Sequence, residues 1–150
     1  MSEPIKHYNT AVEATLEVIG GKWKPVILFF LTFGKKRNGE LARLLPSITQ
    51  KVLTQHLKEL ERDGIIQRIV YNEVPPRVEY ELTAYGDSLK EILHAMCRWG
   101  DQHVERTYGE QAQILAHDRF SEQEESLECC ENDHSVEDMP IAIRSAAKHS

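Results

Sequence analysis

At 150 residues the chain can enclose one domain with a hydrophobic core and still leave a remainder. Its 41% apolar and 28% charged residues are the make-up of an ordinary water-soluble protein. The longest apolar run, Pro25 to Leu31, is far short of the ~20 residues that cross a bilayer, and Met1 to Thr10 holds no apolar h-region, which predicts a cytoplasmic protein with no membrane partner.

Residues 1–10 read as an N-terminal arm. Val12, Leu16 and Ile19 then predict a short first helix, ended by Gly20-Gly21, since paired glycines suit a helix C-terminus and a tight turn. Lys22 to Thr32 follows as a second helix. Trp23, Val26, Ile27, Phe30 and Leu31 recur at helical spacing, and Pro25 is tolerated where first-turn amides have no helical partner. With Leu28 and Phe29 also apolar, this helix is expected to be buried nearly all round, and Trp23 reads as packing rather than as a cofactor contact. Gly34-Lys35-Lys36-Arg37 is expected to close it in a basic turn.

Asn38 to Leu45 has Leu41, Leu44 and Leu45 at helical spacing and stops at Pro46. After a turn of roughly three residues comes Gln50 to Asp63, with Leu53, Leu57 and Leu60 at i, i+4 and i+7. Ser47 or Thr49 can cap this helix, and Gly64 stands where a left-handed residue ends it. Opposite the leucines lie Gln50, Lys51, Thr54, Gln55 and Lys58, donors and cations of a size that reaches base edges and phosphates. Two helices joined this way form a helix-turn-helix, whose second member enters the major groove.

Ile65 to Tyr71, rich in β-branched residues, predicts a strand, and Val78 to Leu82 alternates strictly as its antiparallel partner, with Val78, Tyr80 and Leu82 facing in. Pro75-Pro76 makes the connection a rigid tip expected to carry Arg77. A helix-turn-helix followed by a hairpin is the order of a winged helix. Thr83 is expected to cap one long final helix, Ala84 to Thr107, of ~36 Å. Tyr85, Leu89, Ile92, Met96, Trp99 and His103 follow heptad spacing along it, with Leu93 and Gly100 on a neighbouring stripe. A helix that long outruns a compact domain of this size, so Leu89, Ile92, Leu93, Met96, Trp99 and His103 are expected to meet a second copy of the chain. The fold class is therefore mainly α with a small β-hairpin (α+β), a winged helix-turn-helix dimerising through terminal helices and spanning residues 11–110.

Residues 111–150 turn acidic and nearly unpatterned and are expected to be disordered or loosely docked, with at most a weak helix about Ala112, Leu115 and Ala116. They account for the whole formal net charge of −6; the first 110 residues are neutral. Between Lys35 and Arg77 nine basic residues face five acidic ones, an excess that coincides with the helix pair and supplies phosphate neutralisation. Lys35, Lys36, Arg37, Arg43, Thr49 and Arg77 are accordingly expected on phosphates or in the minor groove.

The motifs Val12-Glu13-Ala14-Thr15-Leu16-Glu17-Val18-Ile19-Gly20-Gly21-Lys22-Trp23, then Leu53 to Gly64, then Val74-Pro75-Pro76-Arg77-Val78-Glu79-Tyr80-Glu81-Leu82-Thr83 carry a resemblance. In them the chain resembles the HxlR family of bacterial winged-helix regulators, a branch akin to the MarR type, from about Val12 to Gly109. The resemblance implies a homodimer held by terminal helices that binds an inverted repeat in double-stranded DNA, often represses, and often responds to a small-molecule effector or oxidant. Two positions depart from the family pattern. Thr10-Ala11 stand where many relatives have a redox-sensing cysteine, and Asn38, a cap candidate, stands where a phenylalanine is common.

No nucleophile motif, phosphate loop or His-x-x-x-His pair occurs, so no catalysis, cofactor or metal is expected. Three cysteines without regular spacing exclude a disulfide framework. Cys97 reads as an inert buried thiol, and becomes a sensor only if exposed and of depressed pKa. Two other functions fit less well: a winged helix used as a protein-interaction module, and a thiol or metal sensor built on Cys129, Cys130 and His134 of the acidic segment.

Overall fold

The computed structural model describes residues 4–109. The acidic segment, with Ala112, Leu115, Ala116, Cys129, Cys130 and His134, lies outside the described residues. The chain divides into two units at the Met96–Cys97 boundary. The first holds every element but the latter part of the last helix.

Helix α1 spans Ala11–Ile19, and the Thr10 hydroxyl caps it by accepting from the Glu13 amide at 3.4 Å. Gly20 is required at its end, because a Cβ there would sit 2.1 Å from the Leu16 carbonyl oxygen. The expected apolar face is covered only at that end. Ile19 is buried, whereas Val12 and Leu16 are 65% and 59% exposed. Lys6 and the Tyr8 hydroxyl both bond Glu17, which lays the arm along α1 and holds the Glu17 carboxyl below its usual range, Lys6 being the main cause.

Helix α2 (Trp23–Leu31) has Pro25 in its first turn and no exposed residue. Ile27, Leu28 and Leu31 form the centre of the core, as its composition predicts. The expected basic turn is instead a short strand, β1 (Lys36–Arg37), which pairs with a later strand, β3 (Arg77–Leu82), through Lys36↔Tyr80 and Arg37↔Glu79. Two residues are too few to show alternation, and the partner's unpaired edge is what recruits them.

Helix α3 (Asn38–Leu44) begins where Glu40 Oε2 accepts from the Arg37 amide at 2.6 Å. Asn38 is its first residue and not its cap. Leu45 to Thr49 make the turn, five residues rather than three, held by Leu45 N to Leu41 O and Ile48 N to Leu45 O bonds of 3.0 and 3.1 Å. Helix α4 (Gln50–Arg62) is capped by Thr49, whose hydroxyl accepts from the Val52 amide at 3.2 Å, so Thr49 and not Ser47 fills that role. Leu53, Leu57 and Leu60 are buried, and Gly64 takes φ +74° after the helix.

Strands β2 (Ile66–Tyr71) and β3 (Arg77–Leu82) pair antiparallel from Ile66↔Leu82 to Tyr71↔Arg77, giving a sheet of order β1-β3-β2. Tyr80 and Leu82 pack on the core as expected, while half-buried Val78 lies farther out, opposite exposed Val70.

The expected single long helix is two. Thr83 caps the four-residue α5 (Ala84–Asp87), its hydroxyl accepting from the Gly86 amide at 3.0 Å and donating to the Gly64 carbonyl at 2.6 Å. Gly86 is packed so closely that a Cβ would come within 2.0 Å of the Ile65 carbonyl oxygen. Bonds from Ser88 N to Tyr85 O and from Leu89 N to Gly86 O then tighten the chain and break the α pattern. Helix α6 (Lys90–Tyr108) has 19 residues, or ~28 Å at 1.5 Å per residue. No helix among the described residues is long and apolar enough to cross a membrane.

Candidate nucleic-acid interface

The outward side of α4 follows from its buried leucines. Gln50, Lys51, Gln55 and Lys58 are exposed and Thr54 is half-buried. Among the described residues neither Lys51 nor Lys58 has a carboxylate partner, so both ammonium groups face solvent uncompensated. Arg62 extends the stripe one turn beyond Lys58, its only ion pair among the described residues being a 3.6 Å contact with Asp63. Arg62 is absent from the residues expected on this face, although its i+4 spacing from Lys58 points to it.

The two amides on this face are held. Gln50 Nε2 donates to Asn38 Oδ1 at 2.6 Å and Thr54 Oγ1 at 3.2 Å, which ties α3 to α4 across the turn. Gln55 Nε2 donates to Glu59 Oε1 at 2.9 Å. Lys24 of α2 lies 2.7 Å from Glu59 Oε2. That lysine, followed by Gln55, draws the Glu59 carboxyl down to a pKa of about 2.

The cations expected on the backbone are held differently. Arg43 is exposed, with Nε 3.4 Å from the Gly39 carbonyl, and Lys36 is half-buried; neither has an ion pair among the described residues. Lys35 lies 3.6 Å from Glu81, whose charge is the main cause of its raised pKa. Arg37 is 3.9 Å from Glu79. Arg77 is not at the hairpin tip but opens β3, with its guanidinium 4.0 Å over the Tyr71 ring and 3.3 and 3.5 Å from Glu73 and Glu79. The tip, residues 72–76, is exposed without it. Arg68, not among the cations expected from the sequence, is exposed, makes no ion pair among the described residues, and shares the sheet face of its partner Tyr80.

In the first unit Leu93 is 2% exposed, inside the core, and Leu89 packs against that core. Leu93 lacks the surface expected of it, because it attaches α6 to its own chain, and Leu89, just before α6, keeps only part of its surface. Ile92 and Met96 are 40% and 47% exposed. In the second unit Trp99 is 67% exposed and stacks on His103, with ring centroids 5.1 Å apart. Cys97 is half-buried, its Sγ 3.9 Å from Asp101 Oδ2. Among the described residues no group of His, Cys, Asp and Glu is placed to hold a metal ion.

Comparison with known proteins places this arrangement. Residues 18–108 match the family described as HxlR-like helix-turn-helix. The HTH-type transcriptional regulator YtcD of Bacillus subtilis (strain 168) is 64% identical over 110 residues, covering 73% of this chain and 87% of YtcD. YkvN of the same organism, also an HTH-type transcriptional regulator, is 51% identical over 106 residues, covering 71% and 90%. Among solved structures, that of ytcD superposes with a TM-score of 0.61 at 66% identity over 64% of this chain and 98% of the other. The redox regulator HypR in its reduced form gives 0.62 at 50% identity over 65% and 95%. The chain belongs to the HxlR-like helix-turn-helix family and is a winged-helix transcriptional regulator, with α3 and α4 as its helix-turn-helix and β2 and β3 as its wing.

Proposed function

We propose that the protein acts in the cytoplasm as a homodimeric repressor that binds an inverted-repeat operator, α4 of each copy lying in a major groove. The observation that carries this reading is the face of α4, where Lys51 and Lys58 stand uncompensated beside two oriented glutamines, all held outward by a buried leucine spine. Gln50, Lys51, Thr54, Gln55 and Lys58 read base edges and flanking phosphates; Arg43, Lys36 and Thr49 hold the backbone, with Lys35 and Arg37 beside the wing and Arg77 in it. Exposed Ile92, Met96, Trp99 and His103 of α6 supply the surface for the second copy. The uncovered Val12 and Leu16 of α1 add apolar area that a monomer leaves in water. Two reading helices then meet half-sites about one helical turn apart, ~34 Å.

Regulation follows from the same geometry. An effector that changes the angle of the final helices changes the separation of the reading helices, and it acts only if it binds one spacing better than the other. The similar protein HypR is a redox regulator. Here Thr10 caps α1 where the resemblance places a sensing thiol, which favours an effector other than an oxidant acting at that position.

The test is binding to duplex DNA measured at 50 and 200 mM salt. A dimer contacting 6 to 10 phosphates loses roughly 10³- to 10⁵-fold in affinity over that range. Failure to bind any duplex at low salt sinks the proposal.

A further inference from the structure

Glu59 lies on α4 yet turns its carboxylate back onto the fold. Its side chain is 23% exposed and that of Lys24 is 12% exposed, so their 2.7 Å contact is not a solvated surface pair. Three groups converge on the carboxylate: Lys24 Nζ and, at 3.5 Å, His56 Nδ1 on Oε2, and Gln55 Nε2 at 2.9 Å on Oε1. An ionised carboxylate only accepts hydrogen bonds. It therefore dictates which end of a neighbouring primary amide faces it, and that end is Nε2. The carbonyl oxygen of Gln55 is left for the surface. Gln50 is arranged alike, its Nε2 engaged by Asn38 and Thr54.

We infer that Glu59, seated on Lys24, is a positioning residue that orients the Gln55 amide with its carbonyl outward. Gln55 then accepts from a base carrying an exocyclic amino group in the major groove, adenine or cytosine, and rejects guanine and thymine on the strand it faces. The inference rests on the reading of α4 as the groove helix. Guanine O6 and N7 and thymine O4 are acceptors. Set against an outward carbonyl they put two acceptors together. Turning the amide over to suit them breaks its bond to Glu59 and brings its oxygen against the carboxylate. Discrimination thus comes from a penalty on the wrong base as much as from a bond to the right one.

The experiment is selection of bound duplexes from a random pool by the full chain, by Gln55→Ala, and by the double variant Lys24→Met/Glu59→Met. The double variant replaces the ion pair with apolar side chains, so that neither charge is left unpaired in a half-buried place. The wild-type motif is expected to contain a step at which adenine or cytosine exceeds the other bases by roughly tenfold. Gln55→Ala loses that preference, and the double variant loses it at the same step while keeping the others. Glu59→Gln, whose amide can present either end, weakens it in the same direction and covers the case in which the double variant does not fold. A preference unchanged in the folded Glu59 variants overturns the inference alone. A wild-type chain that enriches no motif overturns the reading of α4 and this inference together.

Discussion

Helix α4 and the wing both carry positive charge, but they hold it in opposite ways. On α4, Lys51 and Lys58 have no carboxylate within reach among the described residues, and the one acid that bonds a reading residue, Glu59, is directed inward to Lys24. At the wing, Arg77 of β3 lies against Glu73 and Glu79, and Lys35 and Arg37, before and in the adjoining β1, lie against Glu81 and Glu79 of β3. The lesson is that a count of basic residues overstates a surface's pull on phosphates wherever cross-strand carboxylates have already met them. A phosphate contact at the wing first requires an internal pair to loosen, whereas a contact at α4 displaces only counterions and water.

The largest effect should therefore come from α4. In a dimer the Lys51→Ala/Lys58→Ala variant removes four cations, which makes the plot of log affinity against log salt shallower by about 3.6 and weakens binding by about 10³-fold at physiological ionic strength. Titrations over a salt series measure both quantities. A loss below tenfold would mean that these lysines are solvated bystanders and would break the contrast at its stronger end.

The inward pair under α4 is the next test, read as stability instead of affinity. Lys24→Met leaves Glu59 without its main partner and should cost about 1–2 kcal/mol at neutral pH by urea unfolding. The sign of the pH dependence is set by the carboxyl. Its folded pKa of about 2 lies below the ordinary 4.5, so the stabilisation is complete above pH 4.5 and is lost as pH falls toward 2. The gap between the wild type and Glu59→Gln should accordingly narrow between pH 4.5 and 3. A gap constant over that range would show that the carboxyl is not held low.

Much of this contrast could be read from the chain, and the rest could not for identifiable reasons. Leu53, Leu57 and Leu60 announce α4 by period alone, and their burial makes the outward residues follow. Arg77 looked like a tip residue because Pro75-Pro76 precede it. Its capture by Tyr71 and Glu79 depends on strand register, which pairs Tyr71 with Arg77 and lays Arg37 beside Glu79. Strand β1 is two residues long and exists only because β3 offers it an edge. The split between α5 and α6 arises where Gly86 fits against Ile65 and Thr83 reaches Gly64, contacts between residues far apart in sequence. Val12 and Leu16 show the opposite failure: a sound helical period that the chain's own core does not cover. Gln55 and Glu59 are visible as an i, i+4 pair, but nothing local announces that Lys24 fixes the second member.

The wing should respond weakly to loss of its cations and in reverse to loss of its acids. Arg37→Ala or Arg77→Ala, each already matched by Glu79, should lower duplex affinity by less than about threefold, below what an uncompensated phosphate contact contributes. Glu79→Gln releases the Arg37 guanidinium and loosens that of Arg77, which keeps Glu73, and should tighten binding by about threefold, with a steeper salt dependence. Arginine losses as large as those at Lys51 would show that the wing pairs open at no cost and that the two surfaces are equivalent.

The smallest expected effect concerns the acidic segment that accounts for the net charge of −6. Removing the residues after Gly109 leaves 15 Lys+Arg against 14 Asp+Glu, and if the acidic segment competes with DNA for the cations of α4, truncation removes a tethered anionic competitor. Such competition is purely electrostatic and acts over about one Debye length, ~10 Å at 0.1 M salt. Truncation should therefore tighten duplex binding two- to fivefold at 50 mM salt and leave it unchanged at 200 mM, where the competitor is screened. Equal affinities at both salts would show that the segment never reaches α4. Weaker binding by the truncated chain would assign the segment to supporting the complex, and the contrast between α4 and the wing would then have to be measured again with the segment in place.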